Sequence, residues 1–473
     1  MRNKFYITTS IAYTNAPPHI GYALELIQAD VLARHNKLLK KDVFFLTGTD
    51  EHGIKIVKAA EAAKKKPDDF TNEISAKFRE LTKALNLSNT DFIRTIDQKR
   101  HWPAVEKAWK QLRKNEDIYK KKYKGLYCVG CEAFVKEKDL VQGKCPNHLQ
   151  EPEIVEEENY FFKLSNYAQV VKKALLEDRI KIIPSSRKNE ILSFIEQGVE
   201  DLSCSRSKAN LKWGIPVPGD DSQIIYIWFE ALINYISALD YGKDGAKFKR
   251  YWPADVHCVG KDIFRFHALI WPAMLFALKL ELPRSIFVHG YITSGGQKMS
   301  KSLGNVIDPF ETVSRYGADP LRYFLLREIP PTEDGDFTYA RFEERYNSDL
   351  ASGLGNLAAR VITLAGKLKE SGDSEFKNKT EETRNNFNEN IESFKFNEAL
   401  ASLWELISFC DKYIEEKKPW EQKENKEEVI GNLIFAVSQI AEILKPAMPE
   451  TSERILKQIK TRKSEPLFPR IEK

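Results

Sequence analysis

The sequence has few cysteines, little net charge and no long apolar run, and each shortage excludes a class of protein. Only six of the 473 residues are cysteine. Three of these cluster, and the other three, Cys204, Cys258 and Cys410, are scattered and read as ordinary buried thiols. This usage fits a reducing compartment better than a disulfide framework.

The N-terminal segment and the hydropathy give no sign of a membrane or an export route. No apolar run reaches transmembrane length, and the start, MRNKFYITTS, does not read as a signal peptide. That start predicts a strand, which leaves no room for a transit peptide. The formal net charge is +5, so contact with nucleic acid would need a local basic patch. We expect a cytoplasmic protein with no membrane partner.

What the sequence does contain is an alternation of strand-like and helical segments. Residues 4–9 predict a strand, and residues 20–38 carry apolar side chains at helical spacing. Residues 42–53 predict a second strand that ends in a polar turn, and residues 54–65 predict a second helix. This order is typical of a parallel sheet that binds ligands at the carboxyl ends of its strands.

The alternation fades near residue 118 and returns near residue 223, which predicts one Rossmann-type α/β sheet in two halves separated by an insertion. After residue 350 the segments 399–414 and 429–444 each show one apolar face, as in an all-α helix bundle. The polar run 372–390 reads as a linker or as a solvated helix. The expected segments are a first catalytic half (1–117), an insertion (118–222), a second catalytic half (223–325), a linker (326–350) and a helical domain (351–473).

The strongest chemical signal from the residues alone is a pair of chelating knuckles within residues 124–157 of the insertion. Cys128-x-x-Cys131 is followed after thirteen residues by Cys145-x-x-His148. This spacing suits a tetrahedral Cys₃His zinc site, with chance clustering as the alternative. Because all four ligands would be protein groups, the site would be closed and structural, with one Zn²⁺ per chain.

Two further motifs predict a phosphate site. His19-Ile-Gly21-Tyr22 follows a strand and opens a helix, where unpaired backbone N–H groups and the helix dipole favour anions. Lys298-Met-Ser-Lys301-Ser follows two glycines, so it could close on a ligand and neutralise a leaving phosphate. Alone, the histidine would more often be a helix cap or surface residue, and the lysines an exposed basic loop. Together and in this order, the motifs are specific.

These two motifs resemble the signature pair of class I aminoacyl-tRNA synthetases. Other stretches are similar to the methionyl-tRNA synthetase family over about residues 4–469, in a short form with one zinc knuckle. They are FFLTGTDEHG (44–53), GLYCVGC (125–131), YIWFEALINY (226–235), GKDIFRFH (260–267), REIPPTEDGDF (327–337), LGNLAAR (354–360) and EEKKPW (415–420).

The resemblance implies an aminoacyl-tRNA ligase. Such an enzyme activates L-methionine with Mg²⁺-ATP to methionyl-adenylate and transfers it to the 3′ end of initiator and elongator tRNA(Met). Residues 326–350 would be a stem-contact linker and residues 351–473 the anticodon-binding domain. The appended dimerisation module of some relatives is not recognised after residue 469, so we expect a monomer.

The resemblance also implies an ATP site. The residues matched to ATP binding are His19, Gly21, Tyr22, Asp262, Lys298 and Lys301, of which His19, Lys298 and Lys301 would be catalytic. The chain departs from the family pattern at Tyr22, where the family has a second histidine. A phenol stays neutral near pH 7, so a charge-based role at that position is not expected.

For the amino acid, the resemblance implies an aromatic pocket with one carboxylate. The matched residues are Ile11, Tyr13, Asp50, Trp228, Ala231, Leu232, Tyr235, Phe266 and His267. Asp50 would bind the substrate ammonium, and a thioether packs well against aromatic edges. Without the resemblance, Trp228 and Tyr235 would read as core residues. Such a pocket discriminates modestly between near-isosteres, so homocysteine is the expected competing substrate.

In the helical domain the resemblance implies anticodon recognition by Asn356, Arg360 and Trp420. The first two are one helical turn apart, and amide, guanidinium and indole groups can read, hold and stack on unpaired bases. From composition alone they would be surface and packing residues. Three rival functions stay open: a class I synthetase for another apolar or thiol amino acid, a non-catalytic RNA-binding protein, and a small-molecule nucleotidyltransferase.

Overall fold

The computed structural model describes residues 3–130, 133–135, 137–146, 149–243, 245–299, 304–421 and 425–472. Its contacts divide the chain into two compact units. Unit 1 comprises Met1–Pro18, Asp42–Glu80 and Asn89–Val288, and unit 2 comprises His19–Lys41, Leu81–Ser88 and His289–Lys473.

The strands in chain order are β1 (Lys4–Tyr13), β2 (Asp42–Asp50), β3 (Asp91–Arg94), β4 (Ile118–Cys128), β5 (Ala133–Val135), β6 (Glu153–Phe162), β7 (Lys181–Ile183), β8 (Leu202–Ser203), β9 (Ser205–Ser207), β10 (Pro216–Val217), β11 (Asp220–Ile225), β12 (Val256–Gly260), β13 (Ser285–His289), β14 (Ile292–Ser294), β15 (Gln297–Lys298) and β16 (Gly335–Asp336).

The α-helices are α1 (Ile20–Leu38), α2 (Ile54–Ala62), α3 (Pro67–Ala84), α4 (His101–Lys114), α5 (Leu164–Leu176), α6 (Ser185–Glu196), α7 (Ile227–Ala231), α8 (Asn234–Ser237), α9 (Ala246–Tyr251), α10 (Trp271–Ala277), α11 (Pro309–Tyr316), α12 (Ala318–Arg327), α13 (Tyr339–Arg345), α14 (Asn356–Ala365), α15 (Ser374–Glu392), α16 (Phe396–Lys417), α17 (Lys426–Leu444) and α18 (Pro449–Thr461). Two further segments, Phe266–Ile270 and Tyr346–Gly355, are π-helical. Within the described ranges, no helix is both long enough and apolar enough to cross a bilayer.

Unit 1 is built on a six-stranded sheet with the strand order β3-β2-β1-β12-β13-β7. The pairings of β1 with β2 and β12, of β2 with β3, and of β13 with β7 are parallel. Strands from before residue 118 and after residue 223 share this sheet, so the prediction of one Rossmann-type sheet in two halves is confirmed. The chain direction across the sheet reverses between β1 and β12, the point at which α/β sheets bind ligands.

The sequence of β2 shows why this sheet is buried. Every residue of β2 after Asp42 is buried, as expected where both faces of a parallel sheet are covered. On the adjoining helix α4, the buried side chains Ala104, Val105, Ala108 and Leu112 recur at helical spacing and belong to the same apolar core as β2. Local pattern and packing therefore favour the same structure.

The segment with the predicted metal knuckles forms an antiparallel sheet of order β5-β4-β6-β8. In the paired strands β4 and β6, Lys122 lies opposite Glu158 and Lys124 lies opposite Glu156. Opposite charges across a strand pair stabilise it modestly. Strand β7 also lies within residues 118–222, but it pairs with β13 at the edge of the six-stranded sheet.

Unit 2 contains α1, the strands β14–β16 and the helices α11–α18. The predicted apolar faces of α16 and α17 are buried, for example at Leu403, Ile407 and Val437, which confirms the helical domain. The polar run 372–390 forms most of α15, and the Asp373 carboxylate caps this helix by accepting the Phe376 N–H at 2.9 Å. The helix interpretation of that run is correct, and the linker interpretation is wrong.

Candidate functional site

The His19 motif lies at the start of α1, as predicted. His19 is the N-cap residue in an extended conformation, and its Nδ1 accepts the Gly21 N–H at 3.1 Å. Because Nδ1 is the acceptor, the neutral ring carries its proton on Nε2. The cap interpretation and the donor interpretation of His19 are thus compatible, since one nitrogen caps the helix and the other is a donor.

The start of α1 is hydrogen-bonded to the segment that follows the lysine motif. The Ile20 N–H donates to the Ile307 carbonyl oxygen at 3.1 Å. Lys298 lies in β15, is exposed, and holds its Nζ 5.8 Å from the centre of the Tyr291 ring. Lys301 lies outside the described residues. Within unit 2, the two predicted phosphate motifs therefore belong to neighbouring segments.

The hairpin that leads into the lysine motif is fixed at its base by Asp336. Its carboxylate Oδ1 accepts the Thr293 hydroxyl at 2.6 Å and the Gly296 N–H at 2.8 Å. Gly295 and Gly296 have φ values of +61° and +74°, which only glycine adopts without strain. The turn between β14 and β15 is thus specified by the two glycines, while the lysines follow it.

Three residues predicted to contact small substrates lie at one edge of the unit 1 sheet. Tyr13 and Asp50 are paired at the carboxyl ends of β1 and β2, and the Thr14 N–H donates to the Asp50 carbonyl oxygen at 3.0 Å. Asp262 is exposed and follows the end of β12 by two residues. Because β2, β1 and β12 are neighbouring parallel strands, their carboxyl ends meet at this edge.

The predicted methionine-binding aromatics come together in pairs. The rings of Trp228 and Phe266 are stacked, with centroids 3.8 Å apart and planes 13° apart. The Tyr235 hydroxyl lies 2.6 Å from His267 Nε2, and His267 Nδ1 lies 3.0 Å from the Ile263 carbonyl oxygen. Since a carbonyl can only accept, Nδ1 carries the proton and Nε2 accepts from the tyrosine.

The remaining predicted pocket residues lie in the same unit. Ala231 and Leu232, which stand between Trp228 and Tyr235 in the sequence, are buried. Ile11 of β1 packs against the apolar core. Sequence-adjacent residues of α7 and α8 therefore present both rings and small apolar groups. That composition can hold a thin apolar side chain against the edges of the aromatic rings.

Sequence reasoning missed four buried polar groups in unit 1. His257 is fully buried, accepts the Trp271 indole N–H at Nε2 and lies 2.7 Å from the Thr8 hydroxyl at Nδ1. Burial, with a smaller contribution from the His267 ring, holds the pKa of His257 well below its usual range, so this ring is neutral. The other three groups are His52, His101 and Glu230. His52 and Glu230 stood in recognised stretches, FFLTGTDEHG and YIWFEALINY, but neither was singled out, and His101 stood in none.

The predicted zinc ligands are described only in part. Cys128 and Cys145 are buried, whereas Cys131 and His148 lie outside the described residues. The Cys145 carbonyl oxygen accepts the Leu149 N–H at 2.7 Å. In the part of the chain that is described, no group of three or more potential ligands occurs.

The three predicted anticodon residues share one region of unit 2. Asn356 opens α14 and is exposed, and Arg360 lies one turn later. The guanidinium of Arg360 lies 5.7 Å from the centre of the Trp420 ring and donates to Glu415 at 2.7 Å. Trp420 is 47% exposed, so its ring is available for stacking.

Two family models and several known proteins match this chain. The family model described as "tRNA synthetases class I (M)" matches residues 5–151 and 148–362, and that of the anticodon-binding domain of tRNA ligase matches residues 373–470. The methionine–tRNA ligase of Thermotoga maritima is 43% identical and the alignment covers 96% of this chain and 75% of that protein. The Bacillus subtilis methionine–tRNA ligase is 39% identical, with coverages of 99% and 78%.

Solved structures agree with these relatives. The crystal structure of Mycobacterium tuberculosis methionyl-tRNA synthetase bound by methionyl-adenylate superposes with a TM-score of 0.90, 35% identity and coverages of 96% of this chain and 93% of that chain. The free-state structure of the same protein gives a TM-score of 0.85 and 32% identity, with coverages of 100% and 99%. The chain therefore belongs to the methionine–tRNA ligase family of class I tRNA synthetases.

Proposed function

We propose that this chain activates L-methionine with ATP and transfers the methionyl group to the 3′ end of initiator and elongator tRNA(Met). In the first step the methionine carboxylate attacks the α-phosphorus of ATP and pyrophosphate leaves. This gives methionyl-adenylate. In the second step the terminal adenosine hydroxyl of the tRNA attacks the acyl carbon of the adenylate, and AMP leaves. The observation that carries the proposal is the hydrogen bond between Ile20 and Ile307, which joins the His19 motif to the segment that follows the lysine motif in a member of this family.

Phosphate chemistry is assigned to unit 2. His19 Nε2–H would donate to phosphate oxygens at the start of α1, where the helix dipole favours anions, and Gly21 keeps the backbone accessible. Lys298 and Lys301 would neutralise the negative charge that builds on the leaving pyrophosphate. Tyr22 would add a neutral hydrogen-bonding group. Mg²⁺ bound with ATP supplies further neutralisation of phosphate charge.

Methionine selection is assigned to unit 1. Asp50 would pair with the substrate ammonium, and the stacked rings of Trp228 and Phe266 are the proposed contact for the thioether. The Tyr235–His267 hydrogen bond gives the pocket a neutral polar end. The further lining is assigned to Ile11, Tyr13, Ala231 and Leu232. Asp262, also at this edge of the sheet, would accept from the ribose hydroxyls.

Anticodon contact is assigned to Asn356, Arg360 and Trp420. The proximity of the Arg360 guanidinium to the Trp420 ring supports this, because together they offer a cation and a stacking face to an unpaired base.

A structural zinc site is assigned to Cys128, Cys131, Cys145 and His148. Three thiolates and one imidazole suit tetrahedral Zn²⁺, and the two described thiols are buried, as a closed site requires. Metal analysis of purified protein tests this assignment, and a zinc content well below one equivalent would contradict it. We also propose that the protein is a cytoplasmic monomer. Sedimentation of the purified protein measures its mass and so tests the monomeric state.

The decisive experiment for the function is amino-acid-dependent exchange between ATP and pyrophosphate. Methionine should support exchange, whereas cysteine, leucine and valine should not, which separates the proposal from synthetases of other specificity. Lys301→Ala should lower the exchange rate by about 10²-fold or more, since its charge stabilises the transition state. Absence of methionine-dependent exchange in folded wild-type protein would overturn the proposal in favour of a non-catalytic RNA-binding protein.

A further inference from the structure

A wholly buried carboxylate, that of Glu230, lies within the stretch that carries the proposed methionine-binding residues. Both of its oxygens are engaged by imidazole nitrogens. His52 Nδ1 lies 2.8 Å from Oε1, and His101 Nε2 lies 2.7 Å from Oε2. Since a carboxylate can only accept, both histidines donate to it. One side chain thus joins three separate segments of unit 1.

The first of these segments carries Asp50. His52 follows Asp50 by two residues and is packed against the Trp213 ring, with centroids 5.7 Å apart. The Trp213 indole N–H donates to the Glu51 carbonyl oxygen at 2.6 Å, and the Glu51 carboxylate accepts from Arg94 at 2.7 Å. The end of β2 is therefore held from several sides, and Glu230 supplies the link to α7.

The second link runs through His101, the first residue of α4. Its Nδ1 lies 2.9 Å from the hydroxyl oxygen of Ser237, the last residue of α8. The Ser237 hydroxyl also lies 3.2 Å from the Asn234 carbonyl oxygen. His101 thus contacts the stretch 227–237 at two points, Glu230 and Ser237, which lie on either side of Tyr235.

The buried charge of this network indicates that Glu230 does more than fill space in the core. Burial of the Glu230 carboxylate acts to raise its pKa, but the His52 and His101 imidazoles outweigh this and hold the pKa below its usual value. A buried charge is costly unless it is paired, and apolar side chains of similar size would fill the same space without that cost. An ionic link does, however, fix distance and orientation between the segments that it joins.

We infer that Glu230 is a positioning residue for methionine binding. Its carboxylate sets the distance between Asp50, which is assigned to the substrate ammonium, and the rings carried by α7 and α8. Glu230 itself lies behind these groups and does not contact the substrate. The inference rests on the proposed function, because it assigns the residue to the amino-acid half of that reaction.

The test compares Glu230→Gln with a matched buried carboxylate, Asp255→Asn. Asp255 precedes β12 at the opposite, amino end of the sheet, where it accepts from Lys4 Nζ at 2.7 Å and from the Tyr6 N–H at 2.8 Å. Glu230→Gln places an amide N–H₂ against an imidazole N–H, so one hydrogen bond is lost. In ATP–pyrophosphate exchange its KM for methionine should rise about tenfold or more, while its KM for ATP changes less than about twofold.

Asp255→Asn should lower the thermal midpoint but leave the KM for methionine within about twofold of wild type. A double-mutant cycle with His52→Gln adds a second readout. Because both variants break the same link, Glu230→Gln/His52→Gln should bind methionine about as weakly as either single variant. If Glu230→Gln does not fold, His52→Gln alone should still show the selective rise in the KM for methionine.

Two results would overturn the inference: a KM for methionine in Glu230→Gln that changes no more than in Asp255→Asn, or effects of the two substitutions that simply add in the cycle. Failure of the proposed function is distinguishable, because wild-type protein would then show no methionine-dependent exchange at all. Methionine binding without ATP, followed by tryptophan fluorescence, provides the same comparison independently of catalysis.

Discussion

At the scale of single residues, the start of α1 shows how a cap and a proposed catalytic group can be one side chain. His19 accepts the Gly21 N–H through Nδ1, and this bond leaves the ring proton on Nε2. A serine or aspartate would cap the helix as well, but neither has a donor N–H on an atom separate from the one that caps. The choice of histidine is therefore explained by the second nitrogen.

Gly21→Ala tests this arrangement. A Cβ at position 21 would lie 3.0 Å from His19 Cε1 and 3.1 Å from Nδ1, so the imidazole would have to shift by a few tenths of an ångström. Methionine-dependent exchange should fall about tenfold or more, whereas the thermal midpoint should hold or rise slightly, since alanine favours helix. Gly353→Ala is the control, because a Cβ there meets its nearest atom, the Ser348 carbonyl oxygen, at 3.5 Å. Equal losses in both variants would contradict the proposed role of the imidazole.

The sequence indicates candidate site residues where a motif marks them, and it gives no signal where only tertiary contacts define a residue's role. His19, Lys298 and Asp50 stood in recognisable motifs. Arg322 did not: it is fully buried and donates to the Ala447 carbonyl oxygen at 2.7 Å and pairs with Asp30 at 2.8 Å. A charged residue in a helix is normally exposed, so no sequence pattern indicates such a contact.

At the scale of elements, Asp319 links the first turns of two helices in unit 2. It is the second residue of α12, is 3% exposed, and its Oδ2 accepts the N–H of Thr451 in the first turn of α18 at 2.6 Å. Burial raises the pKa of Asp319 to about 6, although Arg322 and the Thr451 N–H act to lower it. The ionised form is therefore poorly solvated in the folded protein.

This pKa gives folding a pH dependence with a definite sign. The folded state binds the Asp319 proton more tightly than the unfolded chain, whose carboxyl keeps its ordinary pKa of about 4. The free energy of unfolding contributed by this group is therefore highest below about pH 4, and it falls as the pH rises through about 6, by up to about 3 kcal/mol. Above about pH 6 the folded protein bears the full free-energy cost of burying the ionised Asp319 carboxylate.

Asp319→Asn should remove that dependence. The amide oxygen can still accept the Thr451 N–H and carries no charge, so the variant should gain stability over wild type as the pH rises from about 4 to 7. Urea unfolding at several pH values measures this difference. Glu450, an exposed acid in the same first turn of α18, gives the control Glu450→Gln, which should show little change. A constant difference between Asp319→Asn and wild type at all pH values would contradict the assignment.

Sequence periodicity predicted those elements that bury one clear pattern. The strands of the central sheet are near-continuous apolar runs, and the helices of the last domain carry apolar stripes, so pattern and packing agree. The polar run 372–390 was ambiguous because its helix buries only widely spaced residues such as Phe376, Phe387 and Ile391. Short strands such as β7 have too few residues to show a period at all.

At the scale of the whole molecule, methionine binding and anticodon recognition are assigned to separate parts of the chain. The proposed methionine-binding residues belong to unit 1, and Arg360 and Trp420 belong to the helical domain of unit 2. Sequence order predicted this division, because the α/β alternation and the apolar helices occupy different stretches. The buried network of His52, His101 and Glu230 could not be predicted, since its members are far apart in sequence.

This division predicts that the two half-reactions respond differently to Trp420→Ala. Loss of a base–aromatic stack costs about 1–3 kcal/mol, so kcat/KM for tRNA aminoacylation should fall about 5- to 150-fold. Methionine-dependent ATP–pyrophosphate exchange should stay near the wild-type rate, because it needs no tRNA. The structural control is Trp404→Ala, since Trp404 packs on Tyr323 with ring centroids 4.5 Å apart and donates to the Asp349 carbonyl oxygen at 3.3 Å. That variant should lose thermal stability, whereas a Trp420→Ala protein that loses both activities equally would show that this indole supports the fold rather than reads the anticodon.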